Sequence, residues 1–211
     1  MGLEATIHMP NKLIGKLLDR PAFYSLVQNL LAYGANDLVL HYIQTLRAKL
    51  PRADCILDIG CGPKSWLWQV GAHPVGLDLT YSYCRAFHEK KEPAVMGSAG
   101  VLPFQSESFQ EVWSIGMFHH LPDPVAGQAL NEMLRVCGPN GHVLIFDAVL
   151  PARAWQRPLA YTLRRADRGR FVRSQAAFEK LLPQRALWSV ERVAYSHTGM
   201  EIVICQFLKS S

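Results

Sequence analysis

The sequence of 211 residues is 49% hydrophobic and 18% charged, a composition that excludes a disordered chain and fits a single domain over residues 1–211. Its five scattered cysteines contain no Cys-x-x-Cys pair, so we expect neither a disulfide framework nor a metal site. The net charge of +5 is concentrated between Pro151 and Arg185, where nine basic residues stand against two acids. This basic segment fits either an anion-attracting surface or the solvated face of a helix.

The sequence contains no stretch long and apolar enough to cross a bilayer, and its N-terminus lacks the pattern of an export signal. We therefore expect a cytoplasmic protein without a membrane span. Its oligomeric state is not indicated by any pattern in the sequence.

Two helical stretches open the chain within residues 1–50, the first over residues 13–33. The second begins at Asn36, a residue type that caps helices, and its apolar residues recur at helical spacing until Pro51. Five short apolar runs follow, each nearly continuous, which is typical of strands buried on both faces of a sheet. These runs are Cys55–Gly60, Val75–Leu79, Ala94–Ala99, Glu111–Ile115 and His142–Leu150.

The clearest helix between two of these runs begins at Asp123 and Pro124, where a carboxylate can cap free amides and proline loses no hydrogen bond. Gly138 with Pro139 ends the helix, and Asn140-Gly141 predicts a tight turn into the fifth strand. Because strands and helices alternate, the pattern predicts a doubly wound, Rossmann-like α/β sheet that is mostly parallel.

Two further strands are predicted after the basic segment. They cover Trp188–His197 and Met200–Leu208 and are joined by a turn at Thr198-Gly199. Such a hairpin adds an antiparallel C-terminal strand to the parallel sheet.

A glycine-rich corner, Asp58-Ile59-Gly60-Cys61-Gly62, follows the first strand. Glycine lets the backbone approach a ligand closely, and open α/β sheets bind ligands beyond the carboxyl ends of their strands. The second strand reaches Asp78, near the spacing at which nucleotide sites place a carboxylate that accepts hydrogen bonds from ribose hydroxyls. The structural alternative is a glycine turn together with a helix cap at Asp78.

With four later segments, this corner resembles the class I S-adenosylmethionine-dependent methyltransferases, in particular the branch that acts on small molecules. The corner is similar to the family's Asp-x-Gly-x-Gly motif, and Asp78 falls on its ribose-binding acid. The later segments, in the family's order, are Gly97-Ser98-Ala99, Leu102-Pro103-Phe104 with Ser108-Phe109, Ser114–Pro124 with its His119-His120-Leu121, and Glu132–Gly141. Three residues depart from the family pattern: Lys64, Ser98 and Gln110.

The resemblance implies that the cofactor is S-adenosylmethionine. The residues that it implies for cofactor binding are Asp58, Gly60, Cys61, Gly62, Asp78, Leu79, Ser98, Ala99 and Ile115. Methyl transfer from a sulfonium depends chiefly on in-line positioning, so no catalytic triad is required. His119 and His120, on the loop after the fourth strand, are the candidate catalytic residues as general bases, and loop packing or helix capping is their alternative role.

The resemblance also implies a small-molecule methyl acceptor, covered by the N-terminal helices (residues 1–50) and by the basic segment (residues 151–185). Because that segment mixes aromatic residues with arginines, an anionic or lipid-like acceptor is one interpretation. A nucleic-acid partner is less favoured, since no RNA-binding motif is recognisable. Three alternatives stay open: an RNA methyltransferase, a non-catalytic cofactor-binding module, and an NAD-dependent oxidoreductase, whose fingerprint has glycine where this sequence has Ser65.

Overall fold

The fold is taken from a computed structural model that describes residues 35–165, 169–194 and 199–210. The first predicted helix, residues 13–33, lies outside the described residues, as do Thr198 of the predicted turn and Arg168 of the basic segment. Among the helices of the described residues, none has the length and apolarity that a membrane crossing requires.

Seven strands within the described residues form one sheet. They are β1 (Ile56–Ile59), β2 (Val75–Asp78), β3 (Ala94–Met96), β4 (Phe109–Ile115), β5 (Cys137–Val149), β6 (Ser189–Ala194) and β7 (Glu201–Leu208). Their order is β3-β2-β1-β4-β5-β7-β6. Strands β1 to β5 pair in parallel, whereas β7 runs antiparallel to both β5 and β6. The predicted α/β fold, mostly parallel with an antiparallel C-terminal hairpin, is confirmed.

The described helices are α1 (Ala35–Arg47), α2 (Tyr81–Glu89), α3 (Asp123–Val136), α4 (Pro158–Arg165) and α5 (Gln175–Glu179). Two short 3-10 helices cover Trp66–Val70 and Phe118–His120. The helix predicted from Asp123 has the predicted bounds, but the predicted cap is wrong: Pro122 is the N-cap residue, no side chain caps the amides, and the Asp123 carboxylate pairs with Arg173 instead. Helix α1 ends earlier than Pro51, because the amides of Lys49 and Leu50 bond to carbonyls three residues back and tighten the chain into turns.

Strand β5 begins at Cys137, five residues before the predicted start, and the predicted turn at Asn140-Gly141 is wrong. The pairing with β4 shifts register between Phe109 and Glu111, so the extra residues of β5 form an irregularity inside the strand. Asn140 has a positive φ of 55° there. The turn-forming dipeptide therefore makes a bulge in a continuous strand.

The core lies on both faces of the sheet. On one face, Leu57 and Ile59 of β1 pack in a buried cluster with Leu130 and Met133 of α3. On the other face, Ile56 belongs to a second buried cluster that includes α1 residues. Burial on both faces explains why the strand sequences are continuously apolar.

Strand β1 lies where the strand order reverses, since β2 and β3 continue on one side of it and β4 and β5 on the other. In open α/β sheets, a crevice forms beyond the carboxyl ends of the strands at this switch point. The glycine corner after β1 and the acid at the end of β2 both lie at this edge of the sheet.

Candidate functional site

A cavity of about 680 Å³ opens at the carboxyl ends of β1, β2, β3 and β4. Its volume is in the range of small-molecule and cofactor sites, roughly 300–1,000 Å³. It is lined by Gly60, Gly62, Leu77, Asp78, Leu79, Thr80, Tyr83, Gly97, Ser98, Ala99, Gly116, Met117, His120, Leu121 and Val125. Seven of the residues predicted for the site are thus brought together: Gly60, Gly62, Asp78, Leu79, Ser98, Ala99 and His120.

The two glycines of the corner, Gly60 and Gly62, differ in the space around their backbone. Gly60 has a φ of +71°, and a Cβ added there would come within 2.7 Å of Met117, so that its backbone packs against the loop after β4. Gly62 has a φ of +61°, but an added Cβ would meet nothing within 4 Å. The backbone at Gly62 therefore borders open cavity space, as a ligand-binding loop requires.

Asp78 ties the ends of β1 and β2 together. Its Oδ2 accepts a hydrogen bond from the Gly62 amide at 3.1 Å, and its Oδ1 accepts one from the Thr80 amide at 2.8 Å. A carboxylate has about four lone-pair sites, so two remain for ligand hydroxyls. Asp78 is thus both a turn cap and a wall of the cavity.

Asp58 and Cys61 lie beneath the glycine corner and do not line the cavity. Asp58 is buried, and its Oδ2 accepts a hydrogen bond from the Ser65 hydroxyl at 2.6 Å. Burial raises the pKa of Asp58 to about 6, opposed by the Ser65 hydrogen bond and reinforced by the charge of Asp78. Burial also raises the pKa of the Cys61 thiol far above its usual range, so this cysteine is a packing residue.

The remaining predicted cofactor residues differ in position. Leu79 is on the exposed rim, with 75% of its surface accessible. The hydroxyl of Ser98 accepts a hydrogen bond from the Gly100 amide at 3.3 Å, while Ala99 is buried in the cavity wall. Ile115 is not among the lining residues, because the next two residues, Gly116 and Met117, face the cavity instead.

Unlike Ser98, the other two departures from the family pattern, Gln110 and Lys64, do not line the cavity. The Gln110 side chain accepts hydrogen bonds from the amides of Asp54 and Cys55, which fastens the start of β4 to the chain entering β1. Lys64 is exposed and is not among the cavity-lining residues. The side chain of Lys64 is therefore on the protein surface and not in the wall of the cavity.

The two candidate bases occupy different positions. His120 lines the cavity, whereas the ring of His119 lies behind it and is 13% exposed. The ring centroids are 4.1 Å apart. His119 Nδ1 lies 2.8 Å from a carboxylate oxygen of Asp147, a buried residue of β5.

Part of the basic segment is bound to the body of the protein. Arg173 is 8% exposed and donates hydrogen bonds to the carbonyls of Phe118 and Leu121, and it pairs with Asp123. Arg164 is also buried. These two arginines do not form an anion-attracting rim, and that interpretation is wrong for them.

The other end of the segment is held by Glu201 of β7. Arg157 donates a hydrogen bond to the Glu201 carboxylate at 2.6 Å, and Arg192 of β6 binds the second carboxylate oxygen. Arg165 and Arg170 stay exposed. The described charge available to an anionic partner is therefore smaller than the sequence indicates.

Sequence reasoning missed several residues of this region. Asp147 gave one usable signal, because it is an acid inside a strand that is otherwise mostly apolar. Met117 and Leu121 lie in the segment Ser114–Pro124, which carries part of the family resemblance, but apolar residues beside a turn are equally common in cores, so nothing marked these two as site residues. The missed cavity residues are Leu77, Thr80, Tyr83, Gly97, Gly116, Met117, Leu121 and Val125.

Comparison with known proteins gives matches centred on this region. The family model described as a methyltransferase domain matches residues 57–145. Methyltransferase GfsG of Streptomyces halstedii is 33% identical over 107 residues, which are 45% of this chain and 38% of that protein. The tRNA U34 carboxymethyltransferase of Cellvibrio japonicus is 28% identical over 153 residues, which are 60% of this chain and 46% of that protein.

Among solved structures, an S-adenosylmethionine-dependent methyltransferase of Thermotoga maritima, described as a possible histamine N-methyltransferase, has the same fold. The TM-score is 0.68 at 15% identity, and the likeness covers 92% of this chain and 99% of that one. The chain spans less than half the length of the two curated relatives. Residues 57–145 are thus similar to a methyltransferase domain, and the sheet order with its glycine corner gives this chain the fold of the S-adenosylmethionine-dependent methyltransferases.

Proposed function

We propose that this protein transfers the methyl group of S-adenosylmethionine to a small-molecule acceptor that enters the cavity beside His120. The observation that carries the proposal is the cavity formed by the open backbone at Gly62 and the carboxylate of Asp78. Two lone-pair sites of Asp78 suit ribose hydroxyls, and the unfilled space at Gly62 suits the close approach of the rest of the cofactor.

The charge around the cavity favours a cationic cofactor over a dinucleotide. Asp78 lines the cavity and Asp58 is buried beneath the same loop. A sulfonium is attracted to this pair of acids, whereas the pyrophosphate of NAD would be repelled by them.

The segment after the glycine corner also argues against a dinucleotide. Dinucleotide sites place the pyrophosphate at the N-terminus of an α-helix. Here the segment forms the five-residue 3-10 helix Trp66–Val70, and its Leu67 amide is already bonded to the Ser65 hydroxyl. The amides that would cradle a pyrophosphate are therefore not provided by an α-helix at this corner.

When bound, S-adenosylmethionine supplies an activated methyl group on its sulfonium. The protein's part is to exclude water and to hold the acceptor in line with that methyl group. The wall formed by Met117, Leu121 and Val125 is apolar and suits the carbon skeleton of a small acceptor. His120, on the same side, is the polar group that can contact the acceptor's reacting atom.

The single-domain organisation and the cover over the acceptor are parts of this proposal. In this proposal residues 1–50 and 151–185 serve as the cover of the acceptor, and the basic segment favours an anionic or lipid-like acceptor. An RNA acceptor is the second candidate, supported by the match to a tRNA U34 carboxymethyltransferase and by the exposed Arg165 and Arg170.

The test has a binding step and a transfer step. Titration calorimetry with S-adenosylmethionine, S-adenosylhomocysteine and NAD should show tighter binding of the first two. Transfer of a labelled methyl group is then compared between a small-molecule extract freed of macromolecules and total tRNA. Tighter NAD binding would overturn the cofactor assignment, label on tRNA alone would select the second candidate, and binding without transfer would select the non-catalytic module.

A further inference from the structure

The carboxylate of Asp147 is surrounded by hydrogen-bond donors. Its Oδ2 accepts the Phe118 amide at 2.5 Å, and its Oδ1 accepts the His119 amide at 3.1 Å. The same Oδ1 lies 2.8 Å from His119 Nδ1. A carboxylate can only accept hydrogen bonds, so the third contact places the proton on His119 Nδ1. Asp147 thereby sets both the tautomer and the orientation of the His119 ring.

The basic segment holds the other sides of the same loop. Gly169 packs so closely on the His119 ring that an added Cβ would lie 2.0 Å from Cδ2. The Phe171 amide donates a hydrogen bond to the His119 carbonyl at 3.0 Å. Arg173 bonds to the carbonyls of Phe118 and Leu121, on either side of the two histidines. Three residues of one short stretch thus fix the position of His119.

His120 rests on this fixed ring. Its ring centroid lies 4.1 Å from that of His119, and the ring planes are inclined by 41°. Within the part of the chain that the structure describes, charged groups near the two rings include Asp147 of β5 and the Arg173–Asp123 pair, and Asp78 of β2 lines the same cavity as His120. Asp147 is thus the carboxylate bonded to the ring against which the His120 ring lies, which connects it to the cavity through His119.

We propose that His120 is the general base for an acceptor that attacks through an oxygen bearing a proton, and that Asp147 and His119 are its positioning residues. This inference rests on the proposed methyl transfer. The proton of the acceptor hydroxyl passes to the His120 imidazole, and the oxygen forms a bond to the methyl carbon. The carbon–sulfur bond breaks, and its electron pair stays on sulfur as a neutral thioether.

The first test is a nitrogen-15 NMR titration of the histidines with S-adenosylhomocysteine bound. We expect His119 to carry its proton on Nδ1, and we expect Asp147→Asn to lower the pKa of His120 by at least about half a unit. Asp54→Asn is the matched control, because Asp54 is exposed and precedes β1 at the opposite edge of the sheet. If the pKa of His120 is the same in Asp147→Asn as in the wild type, the inference is overturned.

His119→Asn is the second variant, in case Asp147→Asn does not fold. Its amide can replace the Nδ1–H donor to Asp147, while the ring beneath His120 is lost. We expect unchanged affinity for S-adenosylhomocysteine and a disturbed His120 titration. If the wild type does not bind S-adenosylhomocysteine, the proposed function is contradicted. If it binds and the pKa of His120 is unchanged in both variants, only the present inference is contradicted.

The second test uses phenol, thiophenol and aniline as probe acceptors, with product formation followed as a function of pH. We expect transfer to phenol, with a basic limb in the pH profile that disappears in His120→Gln and is shifted in Asp147→Asn. Rates with phenol should fall by at least about tenfold in His120→Gln. Equal rates for His120→Gln and the wild type, or no transfer to phenol by a protein that binds the cofactor, would contradict the assignment.

Discussion

Asp78 Oδ2 accepts a hydrogen bond from the Gly62 amide at 3.1 Å, which joins the end of β2 to the glycine corner after β1. This single contact connects the two features by which nucleotide sites are recognised in a sequence. The carboxylate therefore shapes the loop in addition to offering acceptors to a ligand.

Asp78→Ala should weaken S-adenosylhomocysteine binding by at least tenfold. The substitution removes acceptors for the ribose hydroxyls, each charge-assisted hydrogen bond contributing about 1.5 to 3 kcal/mol, and it frees the Gly62 loop. Calorimetry provides the dissociation constants, with Asp54→Ala as a control at an exposed carboxylate. If a folded Asp78→Ala protein binds S-adenosylhomocysteine with unchanged affinity, Asp78 is only a turn cap.

Alanine at Gly60 should be far more harmful than alanine at Gly62. Both positions have a positive φ, which costs about 1 to 2 kcal/mol for alanine, but only at Gly60 would the new Cβ overlap Met117. We expect a loss of about 3 kcal/mol or more in unfolding free energy for Gly60→Ala and about 1 kcal/mol for Gly62→Ala. Urea denaturation measures the unfolding free energy of both variants. Equal losses of unfolding free energy would show that the Met117 side chain moves away from the new Cβ.

Gly127→Ala should stabilise the protein. Gly127 lies inside α3, has no positive φ, and leaves open space where a Cβ would be. Alanine in a helix interior is favoured over glycine by about 0.8 to 1 kcal/mol. We expect the melting temperature to rise while the cofactor affinity stays unchanged. A lower melting temperature would indicate that the space at Gly127 is needed.

Arg173→Gln should destabilise the protein by about 2 to 4 kcal/mol, because the buried carbonyls of Phe118 and Leu121 lose their donors. Arg170→Gln is the matched control, since Arg170 is exposed and surface substitutions stay within about 0.5 kcal/mol. Both variants lose one positive charge. A difference between their unfolding free energies in urea therefore reports the lost hydrogen bonds of Arg173 and not the lost charge. Similar unfolding free energies would contradict the inward role of Arg173.

The contribution of Asp58 to stability should decline as the pH rises. Burial raises its pKa from 3.8 to about 6, so the folded protein holds this proton more tightly than the unfolded chain does. Ionisation between about pH 4 and pH 6 therefore costs stability, roughly 3 kcal/mol once complete.

Asp58→Asn keeps an acceptor for Ser65 but cannot ionise. Its unfolding free energy relative to the wild type should increase between pH 4 and pH 7 by up to about 3 kcal/mol. Denaturation at several pH values measures this difference, and Asp54→Asn should show none of the trend. A constant difference for Asp58→Asn would mean that Asp58 titrates as an exposed acid.

The strands, α3 and the C-terminal hairpin could be predicted because their signals are local: continuous apolar runs, an Asp-Pro start and a short break between strands. The start of β5 could not, because Asn140-Gly141 favours a turn locally and the pairing with β4 converts it into a bulge. Local propensity was overridden by the tertiary context.

The residues of the candidate site likewise differ in whether the sequence could identify them. Gly60, Gly62 and Asp78 were identifiable because a close backbone approach and a ribose acid have characteristic residue types. The Arg173–Asp123 pair was not, because its members are 50 residues apart in the sequence and any acid could have been the partner. The sequence therefore exaggerated the charge available on the basic segment.

The basic segment is fastened at both ends, through Arg157 to Glu201 and through Arg173 to the loop at Phe118 and Leu121. Between these anchors, Ala160 and Arg164 of α4 are buried, and Gly169 and Phe171 contact His119. Redesign of this segment is therefore confined to exposed positions such as Arg165 and Arg170, where substitution leaves both anchors and the contacts with His119 in place.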